Sequence, residues 1–406
     1  MTHTMFRRRT LLAAGTGALF APYVARGAGA LQPAKVSIGR IPWAAFNSPM
    51  TQYMIENKLM EKRAAELGIA LTIDWREYPT ALPMVEAIVG NNLDMGMWGN
   101  TPIIRALVAK LPLSLMVVGE GHLRFVLTTR KGSPIKTIQD IKGKTVGALL
   151  GGDPYNALTE MLHWEMGSAD PRDFGIRIIN TPTLAQAAEV PKGMDAAIAI
   201  YPAYLQAAHQ QSIGIMNSFG YSEAGYDGPL GHGAGIMFPS VKKSPFYPDG
   251  YYLHRSFWIA NNHLLDKNPK IALAFVIAQQ DAVTALAAMQ PGPVSQLVKQ
   301  YWKLDSEDGG KVVTDDVLYH RGWAWPTESD ARAVLVTSKY LTASKMIDKP
   351  LDWAQVKEAF ARTAPLLKQA YDHFGDKPPA VEFVRTNAGD LRGLPVWNMD
   401  QWSVPG

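Results

Sequence analysis

The stretch Leu93-Asp94-Met95-Gly96-Met97-Trp98-Gly99-Asn100-Thr101-Pro102 decides the fold. Its first six residues predict a short buried strand, and its last four predict the turn at which a helix begins. The helix is predicted to extend to Leu111, and a second buried strand follows over residues 113–118. A strand, a helix and another strand in this order indicate the βαβ unit of a parallel sheet.

The same alternation continues on both sides of this stretch. Further strands are predicted at 36–39, 70–75, 125–128, 144–149, 176–179 and 196–200. Helices are predicted between them at 50–67, 80–92, 155–166 and 184–190, the first ending at Gly68. The pattern predicts an α/β protein with two sets of layers, each built on a mostly parallel sheet.

Beyond these layers the pattern changes. A stretch rich in Gly, Pro and Tyr covers about 217–250, and one more strand is predicted over 251–260. From Pro269 onward the chain is almost wholly helical, with helices predicted at 271–289, 294–302, 327–347 and 353–374. The last thirty residues are loop-like, and we expect Trp397 and Trp402 to cover apolar surface.

The first thirty residues predict an export signal. A basic, twin-arginine-like Arg7-Arg8-Arg9-Thr10-Leu11-Leu12 leads into an apolar stretch that ends at Val24, and Ala28-Gly29-Ala30 offers a cleavage site. The apolar run is shorter than the roughly 20 residues of a membrane anchor. The alternative is a disordered basic tail. We expect cleavage near Ala30 and a soluble, periplasmic mature chain.

Charge and cysteine content exclude several classes of function. The chain has 406 residues, with 40 Lys and Arg against 36 Asp and Glu. Four arginines and no acidic residue lie in the first thirty positions, so the rest of the chain is balanced and predicts no nucleic-acid partner. Cysteine is absent, which excludes disulfides, thiolate metal sites and cysteine nucleophiles.

Enzyme motifs are also missing, so we expect no catalytic residues, no cofactor and no metal. Gly143-Lys144-Thr145 lacks the earlier glycine of a phosphate-binding P-loop, because Ile138 stands at that position. The glycine-rich stretch 231–235 lacks the spacing of a dinucleotide fingerprint. The nine histidines show no metal-ligand spacing.

Four loops at predicted strand ends form the candidate ligand site. Ligands of open α/β sheets bind beyond the carboxyl ends of strands, where helix N-termini favour an anion and glycines allow a close approach. The loops cover 41–49, 99–102, 151–155 and 201–204, and ordinary turn chemistry is the alternative explanation for each. The candidate residues are Trp43, Phe46, Asn47, Trp98, Asn100, Thr101, Gly152, Asp153, Tyr155 and Tyr201.

Three arginines are candidate counter-charges for an anionic ligand. They are Arg40, Arg124 and Arg255, and an exposed or structural role is the alternative for each. Arg255 ranks first and joins the candidate site, because it lies where the chain is predicted to cross between the two sets of layers.

Several segments resemble one transport family. They are the quoted stretch 93–102, Ser133 to Gly147, Gly193-Met194-Asp195-Ala196-Ala197, and Phe257-Trp258-Ile259-Ala260 through Lys267-Asn268-Pro269. In these segments, which span about residues 36–290, the chain resembles the periplasmic substrate-binding proteins of ABC importers, specifically the nitrate, sulfonate and taurine group. The stretch 217–250 and the tail beyond about 340 depart from that group.

The resemblance implies an architecture and a function. The expected fold is a two-lobed periplasmic-binding-protein architecture with a hinge and a helical C-terminal extension. We divide the chain into a signal peptide (1–30), a first lobe (31–128), a second lobe (129–250), the returning part of the first lobe (251–340) and an extension (341–406). The lobes would close on a small organic anion, a sulfonate or a carboxylate, and deliver it to an inner-membrane permease and its ATPase. A monomer is expected.

Two alternatives remain open. A ligand-sensing partner of a membrane receptor would have the same sequence features. Pyrimidine-precursor synthases of thiamine biosynthesis share the implied fold, but those carry a cysteine cluster that this chain lacks.

Overall fold

The structure is a computed structural model that describes most of the chain. The described residues are 30–41, 48–120, 125–181, 183–207, 210–217, 220–222, 255–289, 296–297, 299–300, 324–374, 382–386 and 389–403. The predicted leader, apart from Ala30, lies outside them. So do nearly all of the 217–250 stretch, the first residues of the strand predicted at 251–260 and most of the helix predicted at 294–302.

The described residues form strands and helices in an alternating order. The strands are β1 Gln32–Arg40, β2 Ile69–Glu77, β3 Met95–Gly99, β4 Leu113–Glu120, β5 Phe125–Arg130, β6 Thr145–Ala148, β7 Arg177–Asn180, β8 Ala196–Ile200, β9 Gln210–Asn217, β10 Gly220–Ser222, β11 Ser256–Asn261, β12 Glu382–Thr386 and β13 Gly389–Gly393. The helices are α1 Ser48–Glu56, α2 Leu59–Glu66, α3 Ala81–Val89, α4 Asn100–Val108, α5 Asp153–Met166, α6 Leu184–Ala188, α7 Tyr201–Gln206, α8 Asn262–Lys267, α9 Pro269–Ala287, α10 Glu328–Ala343, α11 Trp353–Ala361 and α12 Ala364–His373.

Two mixed sheets form the centres of two lobes. The first has the strand order β2-β1-β3-β11-β4, and the second has the order β10-β9-β5-β8-β6-β7. Neighbours β2, β1 and β3 are parallel, as are β7, β6 and β8. Every residue of β3 and β8 is buried, which is typical of central strands covered by helices on both faces.

The chain crosses between the sheets twice. It leaves the first sheet after β4, enters the second at β5, and returns at β11. β11 then inserts antiparallel between β3 and β4, so the last strand of the first sheet comes from far along the chain. The two-lobed α/β architecture with a helical C-terminal region is as the sequence predicts.

The prediction of one helix over 50–67 is wrong in one respect, because this segment forms two helices. α1 ends at Glu56 and α2 begins at Leu59. Lys58 between them has a φ of 49°, a left-handed conformation that an α-helix of L-residues cannot continue through. The predicted end at Gly68 is confirmed, and its φ of 85° explains why glycine stands there.

The C-terminal region differs from its prediction in two places. The helix predicted over 353–374 is divided into α11 and α12, and the Thr363 hydroxyl between them donates to the carbonyl of Leu115 in β4. The loop-like end contains a hairpin of β12 and β13. Trp402 is buried and its Nε1 donates to the Leu394 carbonyl at 2.8 Å, while the Trp397 ring packs 5.6 Å from that of Trp325.

A buried ion pair ties this C-terminal region to the first lobe. The Nε of Arg255, directly before β11, donates to Oδ1 of Asp330 at 3.0 Å, and the two side chains are only 1% and 2% exposed. Asp330 also accepts from the backbone N–H of Thr327 at 2.9 Å in the capping box that begins α10. The Asp330 carboxylate therefore caps α10 and also pairs with the residue directly before β11.

We predict that Asp330→Ala destabilises the protein by about 3–5 kcal/mol, because it leaves the buried Arg255 charge without its carboxylate. The free energy of unfolding in urea measures this. The matched control is Asp352→Ala, which removes an exposed helix-capping carboxylate and should cost about 1 kcal/mol. Equal losses in the two variants would contradict a special role for the buried pair.

Candidate functional site

A cavity lies between the two lobes at the ends of β3 and β6. Its walls come from residues 80–82 and 97–99 of the first lobe and residues 151–154 of the second. Ile41, Pro102, Phe125, Leu149 and Ser256 complete it. It encloses only about 40 Å³, because the two lobes meet closely here.

The turn from β3 into α4 forms one wall of the cavity. β3 ends at Gly99 and α4 begins at Asn100, with Pro102 in the first turn, where the missing N–H of proline costs nothing. Gly99 has an ordinary extended backbone with a φ of −80° and a ψ of 177°. Glycine is required here for space, because a Cβ would lie 2.0 Å from Oδ2 of Asp153.

A hydrogen bond crosses the cavity floor between the lobes. The backbone N–H of Thr101, in the first turn of α4, donates to Oδ1 of Asp153 at 2.7 Å. Asp153 is the first residue of α5, and both residues are buried. Its carboxylate therefore lies at two helix N-termini, and the partial positive charge of each stabilises a negative group.

The rest of the cavity wall is largely apolar. Met97, Trp98 and Phe125 are buried there, and the apolar Leu82 at the start of α3 is 42% exposed. Thr80 and Ser256 are polar, and the Ser256 hydroxyl is buried with no hydrogen-bond partner among the described residues. Walls of this chemistry suit an organic body that carries a polar group.

The structure brings some of the predicted site residues together and separates others. Trp98, Gly152 and Asp153 line the cavity, and Asn100 and Thr101 begin the adjoining helix. Trp43, Phe46, Asn47 and Arg124 lie outside the described residues. Arg40 lies at the end of β1 and donates to Gln52 at 2.6 Å and to Glu77 at 2.7 Å.

Three further predicted residues also lie outside the cavity lining. Arg255 is paired with Asp330, as described above. Tyr201 is buried at the start of α7, with its ring 6.0 Å from that of Tyr204. Tyr155 is half-buried and lines a separate groove, and burial raises the pKa of its hydroxyl.

That separate groove is wide and rich in basic residues. It lies between α5, β7 and the residues after α10, and holds about 1410 Å³ including open space. Arg105, Arg172, Arg177 and Lys345 line it. Asp170 lies among them, and its hydrogen bond with Arg172 lowers the pKa of the carboxyl to about 2.

Sequence reasoning missed Ser256 and chose its neighbour Arg255. Arg255 was chosen for its charge, but it lies directly before β11 and pairs with Asp330 of α10. A serine at the first position of the returning strand was the available signal.

A polar cluster lies behind the cavity, where α4, α5 and α10 meet. Asn100 Nδ2 donates to Thr337 Oγ1 at 3.3 Å, and the His163 ring packs 6.2 Å from that of Tyr340. Burial raises the pKa of Tyr340 well above its usual value, and the nearby Glu160 charge adds to the effect. Helix α10 thus contacts both lobes.

The described residues contain no group of three metal-binding side chains. No helix within the described ranges is both long enough and apolar enough to cross a membrane.

The pKa of His163 predicts a pH dependence of stability. Burial lowers this pKa below its ordinary value of 6.5. The unfolded chain then binds the proton more readily, so the stability that the neutral ring contributes is lost as the pH falls through 6.5. His163→Gln should reduce the loss of unfolding free energy between about pH 7 and about pH 5.

Denaturant titrations across that pH range measure the effect. The matched control is His263→Gln, which alters an exposed ring on α8. A pH profile for His163→Gln that is identical to that of the unaltered protein would contradict the prediction.

Comparison with known proteins gives a family and a curated relative. The sequence model of the family described as "NMT1/THI5 like" matches residues 65–291. A protein of Escherichia coli K12 described as binding aliphatic sulfonates is 31% identical over 159 residues. That match covers 37% of this chain and 46% of the relative, so the chain matches less than half of the relative's length.

Solved structures show the same fold. The alkanesulfonate-binding protein of Xanthomonas axonopodis pv. citri, bound to MOPS, is similar with a TM-score of 0.57 and 19% identity, over 81% of this chain and 98% of that one. The periplasmic nitrate-binding protein of Synechocystis is similar with a TM-score of 0.52 and 11% identity. The match covers 91% of this chain and 98% of that one. At these identities the likeness establishes the periplasmic-binding-protein fold that the sequence predicts.

Proposed function

The chain belongs to the NMT1/THI5-like family, and from that membership we propose that it is the solute-binding component of an ABC importer. It captures a small organic anion, a sulfonate or a carboxylate, between its lobes and delivers it to a membrane permease and its ATPase. The observation that carries this proposal is the cavity whose walls come from both lobes.

The character of the walls supports an organic ligand. Met97, Trp98 and Phe125 give an apolar surface to the ligand's body, and Ser256 offers a hydroxyl. The curated relative and the Xanthomonas structure bind sulfonates, as their descriptions state. Trp43, Phe46 and Asn47 belong to this proposed site through the segment after β1.

The two chain crossings support a hinge. Binding would shift the population toward a closed state that contacts ligand on both sides, with movement about the β4–β5 crossing and the start of β11. The proposed lobes follow the boundaries given above: 31–128 and 251–340 for the first, 129–250 for the second, and 341–406 for the extension. Strand β5 lies in the second sheet, so residues 125–128 belong with the second lobe.

The cellular setting is part of the proposal. The chain is exported through its twin-arginine-type leader, is cleaved near Ala30 and acts as a periplasmic monomer. It binds its solute without catalysing a reaction, and it holds no cofactor. A receptor-coupled sensor would bind solute in the same way, so recovery of a permease and an ATPase in a pull-down separates the two functions.

Thermal unfolding against a panel of solutes tests the binding function. The panel holds nitrate, bicarbonate, taurine, alkyl- and arylsulfonates, benzene mono- and dicarboxylates, and a thiamine precursor. A ligand at a hundredfold its Kd should stabilise the protein by about 2.7 kcal/mol and raise the Tm. No saturable shift with any of these compounds would contradict an organic-anion ligand.

The first hit allows a test of the β1–α1 loop. Trp43→Ala should weaken that ligand by about tenfold, because it removes an aromatic wall worth roughly 1.4 kcal/mol, and should leave the Tm of the free protein unchanged. The matched control is Trp75→Ala on the edge strand β2, away from the cavity. An unchanged Kd in Trp43→Ala would remove this loop from the site.

A further inference from the structure

The best anion-binding position in the cavity is taken by the protein itself. A ligand anion would gain most at the first turn of α4, where backbone N–H groups have no partner within the helix. The carboxylate of Asp153 already accepts the Thr101 N–H there at 2.7 Å. Asp153 reaches this position from the other lobe, 52 residues along the chain.

Gly99 shows that the position is shaped for a carboxylate. A Cβ at residue 99 would lie 2.0 Å from Oδ2 and 2.7 Å from Cγ of Asp153. The backbone of Gly99 is one that any residue adopts, so a larger residue there would meet no backbone strain and would instead push the Asp153 carboxylate aside. Any group that binds in this space has to replace Asp153.

The surrounding cavity has the character of a ligand site. Ser256 lines it, is 1% exposed, and its hydroxyl has no hydrogen-bond partner among the described residues. A buried hydroxyl in that state has lost its water without regaining a hydrogen bond, which costs free energy until another group supplies one. Asp153 and Ser256 are both among the residues that line the cavity.

We propose that Asp153 is a specificity-determining residue of the cavity, because its carboxylate occupies the anion position at the first turn of α4 and competes with any anionic ligand for the Thr101 N–H. The inference rests on the proposed function in so far as it concerns the imported solute. Two negative groups cannot share the space beside Gly99, since their repulsion in a buried setting is strong.

Anionic solutes therefore need a minimum binding free energy from their other contacts with the cavity. A sulfonate or a carboxylate binds at α4 only if its other contacts with the cavity exceed the cost of displacing Asp153. Small anions without an organic body make few such contacts, so Asp153 excludes them. An organic anion that fills the apolar cavity can displace the carboxylate and break the hydrogen bond between the lobes.

Removing the carboxylate tests the competition directly. Methanesulfonate is the anionic probe, and dimethyl sulfone, which has a similar shape and no charge, is the neutral one. The Kd of each is measured from the shift of the Thr101 amide resonance in the full chain. Asp153→Ala should bind methanesulfonate at least about tenfold more tightly than the unaltered protein, with no gain for dimethyl sulfone.

Two further variants keep the test decisive. Asp153→Asn removes the charge but still fills the space and can accept the Thr101 N–H, so it should show a smaller gain than Asp153→Ala, and it replaces that variant if that variant does not fold. Asp352→Ala removes a carboxylate that caps α11 outside the cavity and should leave both Kd values unchanged. An unchanged or weakened affinity for methanesulfonate in both Asp153 variants would overturn the proposal.

The outcome is separate from that of the proposed function. If the unaltered protein binds a panel anion and the Asp153 variants gain nothing, solute binding stands and the competition is refuted. If the variants gain methanesulfonate binding while the unaltered protein binds no panel compound, the competition stands and an organic anion is the wrong ligand class.

Discussion

The hydrogen bond from the Thr101 N–H to Asp153 is the contact on which the arrangement of the cavity depends. It joins the first turn of α4 in one lobe to the first residue of α5 in the other. Each helix start is fixed by its own strand, β3 or β6, so the bond sets the separation of two rigid units. A ligand that takes over this N–H acts on the cavity floor and on the closure of the lobes together.

The C-terminal region adds a second set of contacts behind the cavity. Arg255 and Asp330 connect α10 to the start of β11, and Thr337 connects it to Asn100 of α4. Further along the same helix, Tyr340 packs against His163 of α5 in the second lobe. One helix thus contacts both sides of the proposed hinge, so α10 is placed to limit how far the lobes separate.

Local patterns predicted the strands, most helices and the β3–α4 turn, because hydrophobic periodicity and turn residues act over a few positions. These patterns failed where the conformation or the contact of a residue depends on residues that are distant in the sequence. The left-handed Lys58 divides a helix that periodicity alone would continue. The pairing of Arg255 depends on where Asp330 of α10 packs, and the place of Ser256 depends on the register of β11. The contact of Asp153 with Thr101 depends on how the two lobes meet.

Amide hydrogen exchange with and without a saturating solute is the most direct test of binding between the lobes. We predict that the amides of residues 99–101 and those of residues 151–153 and 155 become slower to exchange together, because they belong to opposite walls of one cavity. Protection confined to one of the two segments, or located in neither, would contradict it.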